Sequence, residues 1–247
     1  IEQCKESVWK YKGMWEDFSR TVGFWADMDN PYVTYDNNYI ESEWWALKSI
    51  YDRGLLYKGF KIVPYCPRCG TPLSSHEVAQ GYKAVKERSA IVRFKVKGED
   101  AYFLAWTTTP WTLPSNVALC VNPKDTYCKV KAADGYTYYL AQPLLDAVLG
   151  RLKTEDAPAY EVLEEMPGTA LEYKEYEPLF TCAAECAEKQ KKKGFYVTCA
   201  DYVTMGDGTG IVHIAPAFGE DDAQVGRRYD LPFVQFVDGK GHMTEET

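Results

Sequence analysis

Three consecutive threonines stand in the stretch WTTTPWTLPSN, residues 106–116, and bring three hydroxyl groups to one place. They are Thr107, Thr108 and Thr109. A hydroxyl both donates and accepts hydrogen bonds, so the three could hold a sugar, an ester carbonyl and a water molecule. Pro110 and Pro114 remove backbone donors and restrict the chain, so the strand predicted before them must stop here. Because β-branched residues favour strands, three ordinary strand residues remain the alternative interpretation.

A second such stretch, GDGTGIVHIAPAFGEDDAQ at 206–224, contains a histidine and three consecutive acidic residues. His213 lies near the end of a predicted strand, and a helix is predicted to begin with the acids. The last acid, Asp222, could point back at the strand end and bind an ammonium group of a ligand. The alternative interpretations are a structural histidine and acids that only complement the dipole of the helix.

Several motifs of known enzymes are absent from the sequence, namely G-x-S-x-G, H-E-x-x-H, a Walker loop and a G-x-G-x-x-G after a strand. A hydrolytic reaction at these residues is therefore expected to use a positioned water rather than a protein nucleophile.

A single C-x-x-C is formed by Cys66 and Cys69. Tetrahedral zinc needs four ligands, so we predict no complete metal site here. The pair could be an incomplete half-site, part of a structural zinc site or a metal-free turn. The eight cysteines show no spacing typical of a disulfide framework, which favours a reducing, cytoplasmic location.

The predicted fold class is α/β (α+β), in two regions. Residues 1–85 are predicted to be helical and aromatic-rich, with a helix over 41–56, a strand over 57–63 and a turn at the C-x-x-C. Residues 86–247 are predicted to form a β-barrel-like domain with peripheral helices, truncated at its C-terminus. Predicted elements there are strands within 91–98, 101–109, 126–134, 136–141 and 208–216, and helices within 142–150 and 220–230.

Composition limits the classes of function. The net charge is −8 and the pI about 5.1. This charge disfavours a protein that grips a nucleic-acid duplex along its phosphates, but it allows contact with the end of one strand. The lysine-rich segment 181–194 is either a solvated helix and loop or a local basic contact. No apolar run is long enough to span a membrane.

The two stretches WTTTPWTLPSN and GTGIVHIAPAFGEDD together resemble the editing domain of the isoleucyl-tRNA synthetases, an insertion called connective peptide 1. Residues 30–74 resemble the segment of the class I catalytic core that leads into this insertion. Thr109 and Trp111 stand where valyl and leucyl relatives carry arginine and an acidic residue. The signatures H-I-G-H and K-M-S-K-S are absent, so we expect no aminoacylation by this chain.

The resemblance implies post-transfer editing, in which valine mischarged onto isoleucine tRNA is hydrolysed from it. Such a second pocket is needed because a pocket for isoleucine also accepts valine, which is one methylene smaller. In this interpretation the threonines bind the terminal ribose and the ester and help to place water. His213 would exclude isoleucine, and Asp222 would bind the α-ammonium. Further substrate-binding residues would be Trp106, Asn116 and Ala215.

The implied partners are the 3′ CCA end of tRNA(Ile) carrying valine and the rest of the synthetase chain, with the protein a monomer in the cytoplasm. Editing would need no cofactor. A structural zinc, ATP and magnesium would belong to the full-length synthetase. The alternatives are a non-catalytic RNA-binding or zinc-knuckle module and an editing domain of the valyl or leucyl type.

Overall fold

Two helices dominate the N-terminal unit, Ile1–Phe60, in a computed structural model that describes residues 1–155 and 157–247. They are α1 (Glu2–Thr21) and α2 (Asn37–Asp52). The helix predicted over 41–56 is thus confirmed, and Gly54, at φ +69°, follows its end. Within the described residues no helix is both long and apolar enough to cross a membrane.

The second unit, Lys61–Thr247, contains ten strands and four helices among its described residues. In chain order they are β1 (Tyr65–Cys66), β2 (Thr71–Pro72), α3 (Ser75–Gln80), β3 (Ala90–Lys95), β4 (Tyr102–Thr107), β5 (Ala118–Val121), β6 (Thr126–Ala132), β7 (Thr137–Ala141), α4 (Leu145–Leu149), β8 (Tyr160–Pro167), α5 (Thr181–Gln190), β9 (Tyr196–Cys199), β10 (Ile211–Ile214) and α6 (Glu220–Arg228). Short 3₁₀ helices connect several of them, including Pro110–Ser115. The boundary proposed between residues 85 and 86 stays a prediction.

An eight-stranded mixed sheet with the order β8-β6-β7-β4-β10-β5-β9 forms the centre of this unit, and β3 pairs with β4. β3 runs along the whole of β4, so β7 and β10 share the other edge of that strand. β7 pairs at Tyr102 and Phe103, and β10 pairs at Trp106. The sheet divides between these neighbours and curls into a half-barrel, which confirms the predicted fold class.

The division of the sheet depends on a glycine. Gly210 has φ +73°, and a Cβ atom there would lie 2.3 Å from the Cβ of Ala141. The Ala141 N–H also donates to the Thr209 carbonyl, at 3.0 Å. A side chain at 210 would force β7 away from the start of β10, so the position requires glycine. The close approach of the chain at Gly210 to Ala141 therefore positions the start of β10, the strand that carries His213.

Hydrophobic cores cover both faces of the sheet near β5. Leu119 and Val121 of this strand lie in one core, while Ala118 and Cys120 lie in the other. All four side chains are buried. A strand buried on both faces shows no alternation of apolar and polar residues. For this reason β5 was not predicted from the sequence, and neither was β9, whose four residues are also buried.

One predicted element is wrong. Residues 57–63, predicted as a strand, form no regular element in the described structure. Their aromatic and β-branched residues favour a strand, but such a preference is weak and depends on the tertiary context. The five strand predictions in the second unit are confirmed by β3, β4, β6, β7 and β10, and the two helix predictions by α4 and α6.

The lysine-rich segment begins with α5 and ends in a loop, as the sequence indicates. Lys192 pairs with Asp230 at 2.6 Å, and Lys193 pairs with Glu175 at the same distance. These carboxylates neutralise part of the segment, and this favours the interpretation of a solvated helix and loop over a basic contact.

Candidate active site at the end of the sheet

The threonine stretch changes from strand to 3₁₀ helix within three residues. β4 ends at Thr107, whose hydroxyl accepts a hydrogen bond from the Thr109 N–H at 3.0 Å. Pro110 then occupies the first position of the 3₁₀ helix, where its missing donor leaves no gap in the hydrogen bonding. The prolines therefore end the strand, as predicted. The turn places the Thr109 hydroxyl 3.4 Å from that of Thr107.

The only buried histidine of the described residues lies beside this turn. His213 is on β10, opposite Leu119 of β5, and is 9% exposed. Its Nε2 atom lies 3.0 Å from the hydroxyl oxygen of Thr112, which donates to the Thr109 carbonyl at 2.8 Å. Burial lowers the pKa of the imidazole to about 4, so it is neutral at physiological pH. Thr107, Thr109, Thr112 and His213 thus form one polar cluster.

The carboxylate of Asp222 turns back to the end of β10, as predicted. It accepts a hydrogen bond from the Ala215 N–H at 2.9 Å, and Ala215 itself is buried. Burial raises the pKa of the carboxyl to about 6, and the neighbouring charge of Asp221 adds to this. The Ala215 N–H and the Tyr202 hydroxyl partly offset the rise. None of the ion pairs among residues 1–155 and 157–247 includes Asp222, so the protein supplies its carboxylate with no direct counter-charge.

These groups lie near one end of β10. Ala215 follows His213 by two residues, a separation of roughly 7 Å in extended chain. The centroids of the Trp111 and Phe218 rings are 5.2 Å apart, which joins the 3₁₀ helix to the loop before α6. The threonine cluster contacts His213, and the carboxylate of Asp222 binds the backbone two residues later.

Trp106 faces away from this cluster. Successive residues of a strand point to opposite faces, so the indole lies opposite the Thr107 hydroxyl. It lies against the backbone of Gly208, where a Cβ atom would be 2.7 Å from the ring. Trp106 lines a groove of about 510 Å³, together with Ser89, Arg151 and Asp207.

The remaining candidates differ in accessibility. Asn116 is 2% exposed; its amide nitrogen donates to Ala118 O at 2.8 Å, and its oxygen accepts from the Tyr176 hydroxyl at 2.6 Å. Its polar atoms therefore hold the protein together before any ligand binds. Thr108 is exposed at the turn. The roles of these residues toward a substrate stay predictions.

Thr112 was not among the site residues predicted from the sequence. It stands three residues after Thr109, which is one turn of a 3₁₀ helix, so both hydroxyls lie on one side of that helix. A 3₁₀ helix was not predicted at this place, and the contact with His213 spans 101 residues of sequence. The signal available was the fourth threonine of the stretch, directly after a proline and a tryptophan.

The C-x-x-C lies apart from these residues, in the β1–β2 hairpin. The Cys69 N–H donates to the sulfur of Cys66 at 3.4 Å, and this hydrogen bond lowers the pKa of the Cys66 thiol. The Tyr65 hydroxyl donates to the carbonyl of Gly239 at 2.8 Å, which anchors the hairpin. No group of three or more potential metal ligands occurs among residues 1–155 and 157–247. The thiols therefore supply two ligands where zinc needs four.

Residues 1–212 match the family model described as tRNA synthetases class I (I, L, M and V), and the chain belongs to this family. Isoleucine--tRNA ligase of Clostridium acetobutylicum is 56% identical over 247 residues, which are 100% of this chain and 22% of that protein. The corresponding ligase of Clostridium novyi is 55% identical over 246 residues, 99% of this chain and 22% of that protein. The resemblance to the isoleucyl-tRNA synthetases is thus confirmed, and the chain spans 22% of the length of these relatives.

Solved structures of editing domains are also similar. The editing domain of the cytosolic leucyl-tRNA synthetase of P. knowlesi matches with a TM-score of 0.44 and 16% sequence identity. The match covers 61% of this chain and 66% of that one.

Proposed function

We propose that this chain hydrolyses the ester bond of valine mischarged onto tRNA(Ile), as the editing part of an isoleucyl-tRNA synthetase. Two observations support the proposal: the hydroxyl cluster contacts the neutral His213, and the carboxylate of Asp222 binds the Ala215 N–H two residues later in the chain. An aminoacyl ester presents an ammonium group, a carbonyl and a ribose, and each has a matching group here.

Electrostatics supports the role of Asp222. A partly buried carboxylate without a cation is destabilised in its charged form, which is why its pKa is raised. The α-ammonium of an aminoacyl group would relieve this cost by adding an opposite charge inside the site. A substrate with an acylated or missing amine lacks that compensation, so Asp222 selects for a free amino acid ester.

The threonines and the histidine complete the proposed site. The hydroxyls of Thr107, Thr108 and Thr109 bind the ribose and the ester and position the attacking water. His213, neutral and held by Thr112, forms the wall of the pocket that admits valine and excludes isoleucine. With a pKa of about 4 it is a weak base, so it acts through position more than through proton transfer.

The acidic charge of the chain fits a partner that enters only with its single-stranded CCA end. The body of the tRNA and the rest of the synthetase would bind elsewhere. In this proposal ATP and magnesium serve aminoacylation in the full-length protein, and editing needs no cofactor.

The direct test is to incubate the chain with Val-tRNA(Ile), Ile-tRNA(Ile) and valyl-adenosine. Release of valine from the tRNA or from the small ester, with Ile-tRNA(Ile) intact, is the expected result. The small ester removes any need for contacts with the body of the tRNA. If neither valyl ester is cleaved, the deacylase proposal fails and a module that only binds RNA becomes the better explanation. Hydrolysis of the aminoacyl ester on a leucine- or valine-specific tRNA instead would indicate the leucyl or valyl type.

We also propose that Cys66 and Cys69 are half of a zinc site that other residues of a full-length synthetase complete. Two thiolates bind zinc weakly because a stable tetrahedral site uses four ligands. Elemental analysis of the purified chain should therefore find well under one zinc per molecule. Variants with Cys66→Ser and with the exposed Cys4→Ser provide the comparison, and only the first should lower the residual zinc. One firmly bound ion per chain would contradict the half-site.

A further inference from the structure

A hydrogen-bond chain connects a backbone carbonyl to the buried imidazole. The Thr112 hydroxyl donates to the Thr109 carbonyl at 2.8 Å, while its oxygen lies 3.0 Å from Nε2 of His213. A hydroxyl has one hydrogen and two lone pairs. Since its hydrogen is used on the carbonyl, the oxygen can only accept from the imidazole. Nε2 must then carry the proton.

The opposite arrangement makes fewer hydrogen bonds. If the proton were on Nδ1, the Thr112 hydroxyl would have to turn to Nε2 and give up the Thr109 carbonyl. The buried Nδ1 atom has no partner among the described protein atoms, so its N–H would be an unsatisfied donor. The two hydrogen bonds of the Thr112 hydroxyl, to the Thr109 carbonyl and from Nε2–H, would be replaced by one. The buried Nδ1–H donor would also be desolvated without a hydrogen-bond partner. The geometry therefore favours the Nε2–H tautomer.

We propose that Thr112 is a positioning residue that fixes His213 as the Nε2–H tautomer and so leaves Nδ1 as a bare acceptor. This nitrogen is buried and has no partner among the described protein atoms. The part that concerns the substrate rests on the proposed function, whereas the tautomer does not. Thr112 thus acts on the site through the imidazole, without itself contacting the ester.

A fixed tautomer also fixes the orientation of the ring. An imidazole that could flip or change tautomer would leave the Thr112 oxygen without a donor in part of the population. The bond from Nε2–H to Thr112 prevents this change, so the imidazole is held in one orientation.

Nuclear magnetic resonance of the chain labelled with ¹⁵N at histidine tests the tautomer directly. The shifts of the two ring nitrogens distinguish Nε2–H from Nδ1–H, and the spectrum of a His213→Asn variant identifies the signals of this residue. We expect the Nε2–H form to exceed the Nδ1–H form by about tenfold or more. A predominant Nδ1–H form in the unmodified chain would overturn the proposal without any variant.

Two substitutions then test the role of Thr112. Thr112→Val keeps the shape of the side chain but removes the oxygen, so the two tautomers should approach equal population, within about threefold. Thr112→Ser restores the hydroxyl and should restore the Nε2–H form. Thr198→Val is the matched control, because this buried hydroxyl also donates to a carbonyl, that of Leu119, at 2.8 Å. It should leave the tautomer unchanged. An unchanged tautomer in folded Thr112→Val would contradict the positioning role.

Deacylation separates this inference from the proposed function. Thr112→Val should lower kcat for valyl-adenosine by about tenfold, and Thr112→Ser should recover it. A chain with the Nε2–H tautomer but no deacylase activity would refute the proposed function and leave the tautomer inference standing. A chain that has deacylase activity but carries the Nδ1–H form of His213 would refute the tautomer inference and leave the proposed function standing.

Discussion

Replacing Asp222 by asparagine is expected to abolish hydrolysis of Val-tRNA(Ile) and, at the same time, to stabilise the folded chain at pH 7.5. Asparagine still offers an oxygen to the Ala215 N–H, so the hydrogen bond at 2.9 Å can persist. Only the charge is lost. Without it the α-ammonium has no counter-charge, and we expect a loss of about 100-fold or more in kcat/KM.

The gain in stability follows from the raised pKa of Asp222. Its value is about 6 in the folded chain, against about 3.9 for an aspartate in an unfolded chain. The folded state therefore holds the proton more tightly, and the stability this provides below pH 4 is lost as the pH rises through 6. At pH 7.5 the buried charge costs at most about 3 kcal/mol, so Asp222→Asn should raise the free energy of unfolding by about 1–3 kcal/mol.

Urea unfolding at pH 7.5 and pH 4, together with deacylation assays, checks both effects. The gain should shrink at pH 4, where the carboxyl of the unmodified chain is largely protonated. Asp221→Asn is the matched control, since this neighbour is exposed on the same helix; it should retain activity and change stability by less than about 0.5 kcal/mol. Asp222→Ala should lose activity as well, but it also removes the acceptor of Ala215. Wild-type turnover in Asp222→Asn would rule out the ammonium role.

Local rules predicted the parts of this site that depend on adjacent residues. The prolines after the threonines predicted that β4 ends near Thr107. The three consecutive acids predicted the start of α6, and Asp222 was predicted to point back at the end of β10. Whether these places meet depends on pairing between distant strands. The parallel contact of β10 with β4 joins Val212 to Trp106, and no pattern within either strand specifies that partner.

Other features could not be predicted because burial hides them. β5 carries no alternating pattern, since cores cover both of its faces. Asn116, in a stretch that resembles a substrate-binding motif, is buried and hydrogen-bonded to Ala118 and Tyr176. The direction of Trp106 depends on which face of β4 the threonines occupy. In each case the sequence shows the type of the residue, but its burial and its contacts depend on residues distant in the sequence.

The second large effect is expected from His213→Ala, which should allow the chain to hydrolyse Ile-tRNA(Ile). The imidazole is buried and lies against Thr112, so in the proposed pocket it would be a fixed wall. Its removal would open a space larger than the one methylene that separates isoleucine from valine. We expect the rate on Ile-tRNA(Ile) to rise by about tenfold or more, while valine is still removed.

A size series makes this test specific. His213→Gln refills much of the space with a flexible side chain and should restore part of the exclusion. The rate of Ile-tRNA(Ile) hydrolysis should therefore be highest for Ala at 213, lower for Gln and lowest for His.

Both substitutions at 213 should also alter stability in acid. Burial depresses the pKa of His213 to about 4, and the stability this residue provides above pH 6.5 is lost as the pH falls toward 4. A neutral side chain at 213 should remove that pH dependence, and a cooperative urea transition of each variant shows that it is folded. If Ile-tRNA(Ile) survives intact in a folded His213→Ala chain, exclusion by size at this position is wrong.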